Sequence, residues 1–234
     1  AAESGRPYVH LSALLFLGRS YLMAGEPDTA LPLFRQRLDI SEKLRDPYFI
    51  GVSRFSMAMT YATTGEWKLA RENLVMSSRG YLGEERVSIQ VEAQTGNFDA
   101  ARRLIQAISV TEGGWFAADS IENEVLFARL YLANIEGSRR PPLPETLGLQ
   151  PGDFAVGRRH LTIPRAAAVA DAQDCTRAEA AYELLAPQKG IMGSVKLSST
   201  DRSLGRLAVL KGDFQRAAQH FDDALTFLRQ AGYR

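Results

Sequence analysis

The sequence predicts an all-α fold of antiparallel helix pairs, each stacked on the next. Three observations predict it. A six-residue phrase recurs: GEPDTA from Gly25, GEWKLA from Gly65, GNFDAA from Gly96 and GDFQRA from Gly212, with a weaker copy, CTRAEA, from Cys175. Four places after each closing alanine stands a large apolar residue, namely Phe34, Leu74, Ile105, Phe221 and, in the weak copy, Leu184. Upstream, apolar residues recur at helical spacing, as in Leu14, Leu17 and Tyr21 or Met57 and Tyr61. Gly18 and Ala58 each lie three places before the tyrosine of that pattern. A repeat of this kind marks units that cannot bury an apolar face alone and must stack.

Taken in order, the pattern places helices at 8–24, 28–44, 48–64, 68–80, 85–95, 99–110, 116–136, 162–173, 177–186, 197–211 and 215–231. The phrase glycines close the first helix of each pair, because glycine enters the left-handed region without a side-chain clash. An acid near the start of the second helix then meets free N–H groups and the positive end of the dipole. Gly18, Ala30, Ala58, Ala70, Ala101 and Ala217 let helices approach closely, and Tyr21, Phe34, Tyr61, Trp67 and Phe221 fill the gaps beside them. Cys175 takes the place of the glycine in the weak copy and reads as a small packing residue. Residues 138–163 interrupt the pattern. Pro141, Pro142, Pro144 and Pro151 remove backbone donors there, so an irregular connection replaces a helix between a first sub-array, 1–137, and a second, 164–234.

Composition excludes several functions. The 234 residues carry 28 Lys plus Arg against 27 Asp plus Glu, a net charge of +1, which gives no whole-molecule field to draw nucleic acid or an anionic membrane. One cysteine excludes a disulfide framework and a multi-cysteine metal site. No phosphate-cradling glycine motif is present, and His10, His160 and His220 lack any ligand spacing. They read as exposed or partner-bonded surface groups. The pairs Glu84-Glu85 and Asp222-Asp223 diverge by about 100° on a helix and read as solvated charge. Arg102-Arg103, Arg139-Arg140 and Arg158-Arg159 have acids nearby and form no continuous basic stripe. The expectation is a non-enzyme with no cofactor, no metal, no nucleic-acid contact and no membrane span.

These residues resemble a tetratricopeptide-repeat (TPR) array, whose signature is W-x2-L-G-x2-Y, then A-x3-F, then P, in about 34 residues. The first repeat has Leu14, Leu17, Gly18, Tyr21, Ala30 and Phe34 at that spacing, and the last has Leu204, Gly205, Ala217, Phe221 and Ala224. The resemblance implies a right-handed superhelix, a TPR-like α-solenoid over 1–234. The stretch from Tyr182, YELLAPQKGIMGSVKL, and the repeat after it resemble more narrowly the helical-repeat region of large bacterial signalling proteins, LuxR-type ATPase-linked transcription regulators and nucleotide-cyclase relatives among them. The chain begins without methionine and stops directly after a second helix, so it is read as a piece of a longer protein with an uncapped C-terminal end open to self-association.

The resemblance also implies a concave groove lined by the first helices. Carried onto this sequence, its partner-binding positions are Arg19, Met23, Phe55, Met59, Arg86, Gln90, Arg129, Arg202 and Arg206. The lining is apolar in the first two repeats and richer in arginine later. No asparagine occupies the positions of the family's carboxylate clamp, so a chaperone-tail adaptor is not expected. The implied function is a cytoplasmic protein-binding or intramolecular regulatory scaffold that takes a peptide, a partner protein or another domain of the same parent chain. The alternatives are a small-molecule sensor of a transcription regulator, favoured by a closed apolar pocket near the break, and an auxiliary region of a cyclase or NTPase. An open basic groove favours the scaffold.

Overall fold

Gly25, Gly65, Gly96 and Gly212 all sit at positive φ, between 77° and 85°. Each ends one helix and turns the chain into the next. The computed structural model describes residues 6–77, 82–108, 118–145, 147, 149, 162–193 and 198–233. Among these run eleven α-helices: α1 (Pro7–Met23), α2 (Pro27–Leu44), α3 (Pro47–Thr63), α4 (Trp67–Met76), α5 (Leu82–Gln94), α6 (Phe98–Ile108), α7 (Ala118–Glu136), α8 (Thr162–Ala172), α9 (Ala178–Leu185), α10 (Thr200–Leu210) and α11 (Phe214–Gln230). Sequence neighbours pack as spatial neighbours, α1 on α2, α2 on α3, α3 on α4, α5 on α6, α8 on α9 and α10 on α11. The all-α array of stacked helix pairs is therefore the fold.

Local chemistry sets the helix starts. Proline at the first position of α1, α2 and α3 is pre-set for helix and needs no donor. The Asp46 carboxylate accepts the N–H groups of Tyr48 at 3.1 Å and Phe49 at 3.3 Å, and Asp213 accepts that of Arg216 at 3.0 Å. Small residues then set how closely the helices approach. A Cβ on Gly18 would lie 2.5 Å from Phe34, and one on Gly205 would lie 2.7 Å from Phe221. Both glycines are helical, so the reason for glycine here is space, not backbone conformation.

Two sequence readings are corrected. In the weak copy the left-handed residue is Gln173, at φ 58°, and not Cys175. Cys175 is exposed on the turn that follows, so it does not serve as a packing residue. Asp174 accepts the N–H groups of Thr176 and Arg177 there, in a turn three residues longer, from the left-handed residue to the next helix, than its counterparts. The sequence also holds no repeat signal for the short antiparallel pairing of β1 (Met192–Gly193) with β2 (Ser198–Ser199), which precedes α10.

Among the described residues three apolar clusters make up the core, as neighbour-only stacking requires. One lies within α7 to α10, around Phe127, Leu130, Val169, Leu185 and Leu204. Another joins α5, α6 and α7 through Ile89, Ile105 and Leu132. The cluster at the N-terminal end departs from an open array. Alongside Phe34, Phe55, Met59 and Tyr61 it contains Met192, Ala231 and Tyr233. The end of α11 lies against the α1–α2 turn, where a Cβ on Gly25 would meet Ala231 and Phe227 at 3.1 Å. Tyr233 is buried and donates its hydroxyl to the Leu22 carbonyl at 2.5 Å, and its ring meets Phe227 edge-on. The last helix thus closes back on the first pair.

Burial pushes the Tyr233 hydroxyl well above the ordinary tyrosine range, partly offset by a hydrogen bond with Thr63. An acid raised in the fold must stay neutral there. Its contribution to stability is complete below the unfolded-state value of about 10 and is lost as pH rises above it. Unfolding monitored between pH 9 and 12 (about the tyrosine range) should show a loss of stability that Tyr233→Phe reduces.

Candidate functional site: an arginine cleft beside the proline-rich break

α7 stops at Gly137, which sits at φ 69°, and Pro141 and Pro142 prevent the chain from resuming a helix. The segment that follows is tied to the array. Arg140 Nε donates to Asn134 Oδ1 at 3.1 Å, Asn134 Nδ2 donates to the Asp171 carbonyl at 3.0 Å, and Arg177 donates to the Pro144 carbonyl at 2.9 Å. Leu147 and Leu149 are buried in the cluster of α7 to α10. Of the connection 138–163, the described residues therefore form irregular chain packed onto the helices.

This course leaves a cleft of about 460 Å³ between α6, α7 and residues 138–142. Four of its lining residues are Arg102, Arg129, Arg139 and Arg140, against one carboxylate, Glu136, with Ile105 and Leu132 among its apolar residues. Arg102 pairs with Glu136 and, at 2.7 Å, with Asp99. Arg140 is held by Asn134. Arg129 and Arg139 are exposed and have no ion-pair partner among the described residues. The cleft therefore presents two uncompensated guanidinium groups to solvent over an apolar floor. That suits a bidentate grip on carboxylate or phosphate oxygens.

The predicted groove residues divide into three groups. Phe55 and Met59 are each 4% exposed, inside the cluster that takes in Tyr233. Arg86 and Gln90 are buried on α5; the Arg86 guanidinium stacks over Phe127, and burial lowers its pKa to about 9. Arg206 is spent on Asp171 and on Asn134 Oδ1 at 3.2 Å. Arg19 and Met23 are half-buried and Arg202 is exposed, all outside the cleft. Only Arg129 of the nine lines it. Arg102, Arg139 and Arg140 were discounted in the sequence because acids lie nearby. The acids do restrain Arg102, but none reaches Arg139.

A second polar cluster lies among α9, α10 and α11. Tyr182 Oη is 2.8 Å from His220 Nε2, His220 Nδ1 is 3.0 Å from Asp201 Oδ1, and Asp201 Oδ2 accepts the Gly190 N–H at 2.6 Å. His220 is partner-bonded, as the sequence anticipated, but it is buried rather than at the surface. Asp223 brings a second carboxylate close, so Asp201, His220 and Asp223 are metal-capable donors by type. Both ring nitrogens of His220 are already engaged, however, and the network acts as a tether between three helices and the chain at Gly190, just before β1. His160 lies outside the described residues, and no helix among the described residues is long and apolar enough to cross a membrane.

Stacked helix pairs of this kind make up an all-α helical-repeat architecture, and the described residues leave an open, charged cleft in it. Residues 13–48 match the tetratricopeptide repeat family model, and they hold Leu14, Leu17, Gly18, Tyr21, Ala30 and Phe34. The match supports the tetratricopeptide repeat family for this chain, whose repeats in general mediate protein–protein interaction without catalysis. No curated protein and no solved structure matches the chain.

Proposed function

We propose that this chain is a non-enzymatic scaffold that binds an acidic peptide segment, from a partner protein or from another domain of its parent, in the arginine cleft. The observation that carries the reading is the pair of uncompensated guanidinium groups, Arg129 and Arg139, over the apolar floor of an open cleft. An open basic site suits an extended anionic chain and does not suit an enclosed inducer. The buried members of the predicted groove, Phe55, Met59, Arg86 and Gln90, are taken up by the fold, so recognition moves to Arg129 and its neighbours. The YELLAP stretch at Tyr182 supports a cytoplasmic bacterial signalling parent of the LuxR-type or cyclase-linked kind.

A fluorescein-labelled hexaglutamate peptide tests this reading. It should bind with an affinity that falls as salt rises, and Arg129→Glu combined with Arg139→Glu should weaken it by about tenfold or more. Both side chains are exposed, so the variant keeps its fold. An affinity unchanged by the double reversal would refute the reading.

A further inference from the structure

We propose that the outer face of α1 is a docking surface for an amphipathic helix of a partner protein, which lies on α1 as α2 lies on α3. The inference is independent of the arginine cleft and rests on the repeat itself. Gly25 and Gly65 are equivalent turn residues, so each α1 position corresponds to the α3 position 40 later. Phe16 is 65% exposed where Ser56 is 1%, Leu17 is 48% where Met57 is 8%, and exposed Ser20 corresponds to Thr60 at 2%. Val9, at 54%, extends the same face by two turns. Inside the array α2 covers this surface on α3. On α1 the described residues leave it open.

The face is built to be dry. Ser12 Oγ donates back to the Tyr8 carbonyl at 3.0 Å and Ser20 Oγ to the Phe16 carbonyl at 2.9 Å, so neither hydroxyl proton points outward. Arg19 is the only Lys, Arg, Asp or Glu between Pro7 and Met23. Contiguous exposed apolar residues without charge mark interaction surfaces on soluble proteins.

The α2–α3 contact specifies the occupant. There Arg35 donates to the Tyr61 hydroxyl at 3.1 Å, and Arg37 donates to the Phe49 carbonyl at 3.0 Å and Ser53 Oγ at 2.6 Å. The equivalent of Tyr61 on α1 is Tyr21, whose hydroxyl has no hydrogen-bond partner among the described residues. Phe49 and Ser53 correspond to Val9 and Ala13, which offer no ring and no hydroxyl, so the partner is a helix with an apolar stripe and, beside it, an arginine at the place of Arg35. A second copy of this chain fits less well. Its α11 carries Asp222 and Ala224 where α2 has Arg35 and Arg37, and the end of α11 is already packed at Gly25.

The probe is a labelled peptide of residues 27–46, made helical by a lactam bridge between its exposed Asp39 and Lys43 side chains. The bridge removes the instability of a short isolated helix. Fluorescence anisotropy should show saturable binding to the intact chain. Phe16→Glu and Leu17→Lys should each weaken it by about tenfold or more, and Tyr21→Phe should remove the advantage of the peptide over its Arg35→Ala form. The three variants should keep the wild-type circular dichroism and melting temperature. Three results would overturn the proposal: no saturable binding, binding indifferent to Phe16→Glu, or a sedimenting dimer that Phe16→Glu dissolves, which would make a second copy the occupant.

Discussion

Phe34→Ala is expected to destabilise the protein by about 3–5 kcal/mol, the range for truncating a fully buried aromatic residue. Phe34 is 0% exposed, and its ring lies against Gly18, where a Cβ would come within 2.5 Å. At Gly18 the helices α1 and α2 are therefore spaced by that ring, with no side chain on Gly18 to swing into the void. The same cluster reaches α3, Met192 and Tyr233, so the loss should spread beyond the first pair. Urea unfolding followed by circular dichroism measures it. A shift below about 1 kcal/mol would mean that the first pair is not packed as described.

Arg37→Leu is expected to cost about 3 kcal/mol, although leucine is the more apolar residue. Arg37 is 1% exposed. It donates to the Leu11 carbonyl at 3.0 Å, the Phe49 carbonyl at 3.0 Å and Ser53 Oγ at 2.6 Å, and its guanidinium lies over the Phe49 ring. One side chain thus binds α1, α2 and α3 together from inside. Arg37→Lys should recover little of the loss, because a single ammonium cannot span three acceptors set by a planar fork. Thermal unfolding of the two variants side by side checks both statements.

Much of this fold was legible in the sequence because its determinants are local. A glycine at positive φ, an acid at the next helix start and a small residue opposite a ring all fall within one repeat, and the helix limits followed to within a few residues. Gln173 escaped because a left-handed glutamine carries no compositional mark. What local pattern cannot express is contact across the chain. Tyr233 meets Leu22 at a separation of 211 residues, and nothing near either residue announces it. Arg37 was hidden for a related reason, since its three acceptors belong to other helices and two of them are backbone.

The candidate site was legible in part. Arg129 was reached through the repeat geometry that the resemblance implies. Arg139 was set aside with its neighbours because acids flank it in sequence, yet Glu136 turns to Arg102 and leaves Arg139 uncompensated. Phe55 and Met59 were placed on a groove that an open array would expose. Both are buried, in the apolar cluster that also takes in Ala231 and Tyr233. Which arginines remain to meet a ligand is settled by how the chain folds back, not by their spacing.

The most direct test of the arginine cleft is a methyl NMR spectrum of the isoleucine-, leucine- and methionine-labelled protein recorded during titration with hexaglutamate. Ile105 and Leu132 lie on the floor of the cleft, and Met59 lies beneath the closed end of the array. The proposed scaffold requires the Ile105 and Leu132 methyl signals to shift saturably while Met59 stays still. A Met59 shift, with Ile105 and Leu132 unmoved, would contradict it and place the ligand in the inner groove opened by release of Tyr233.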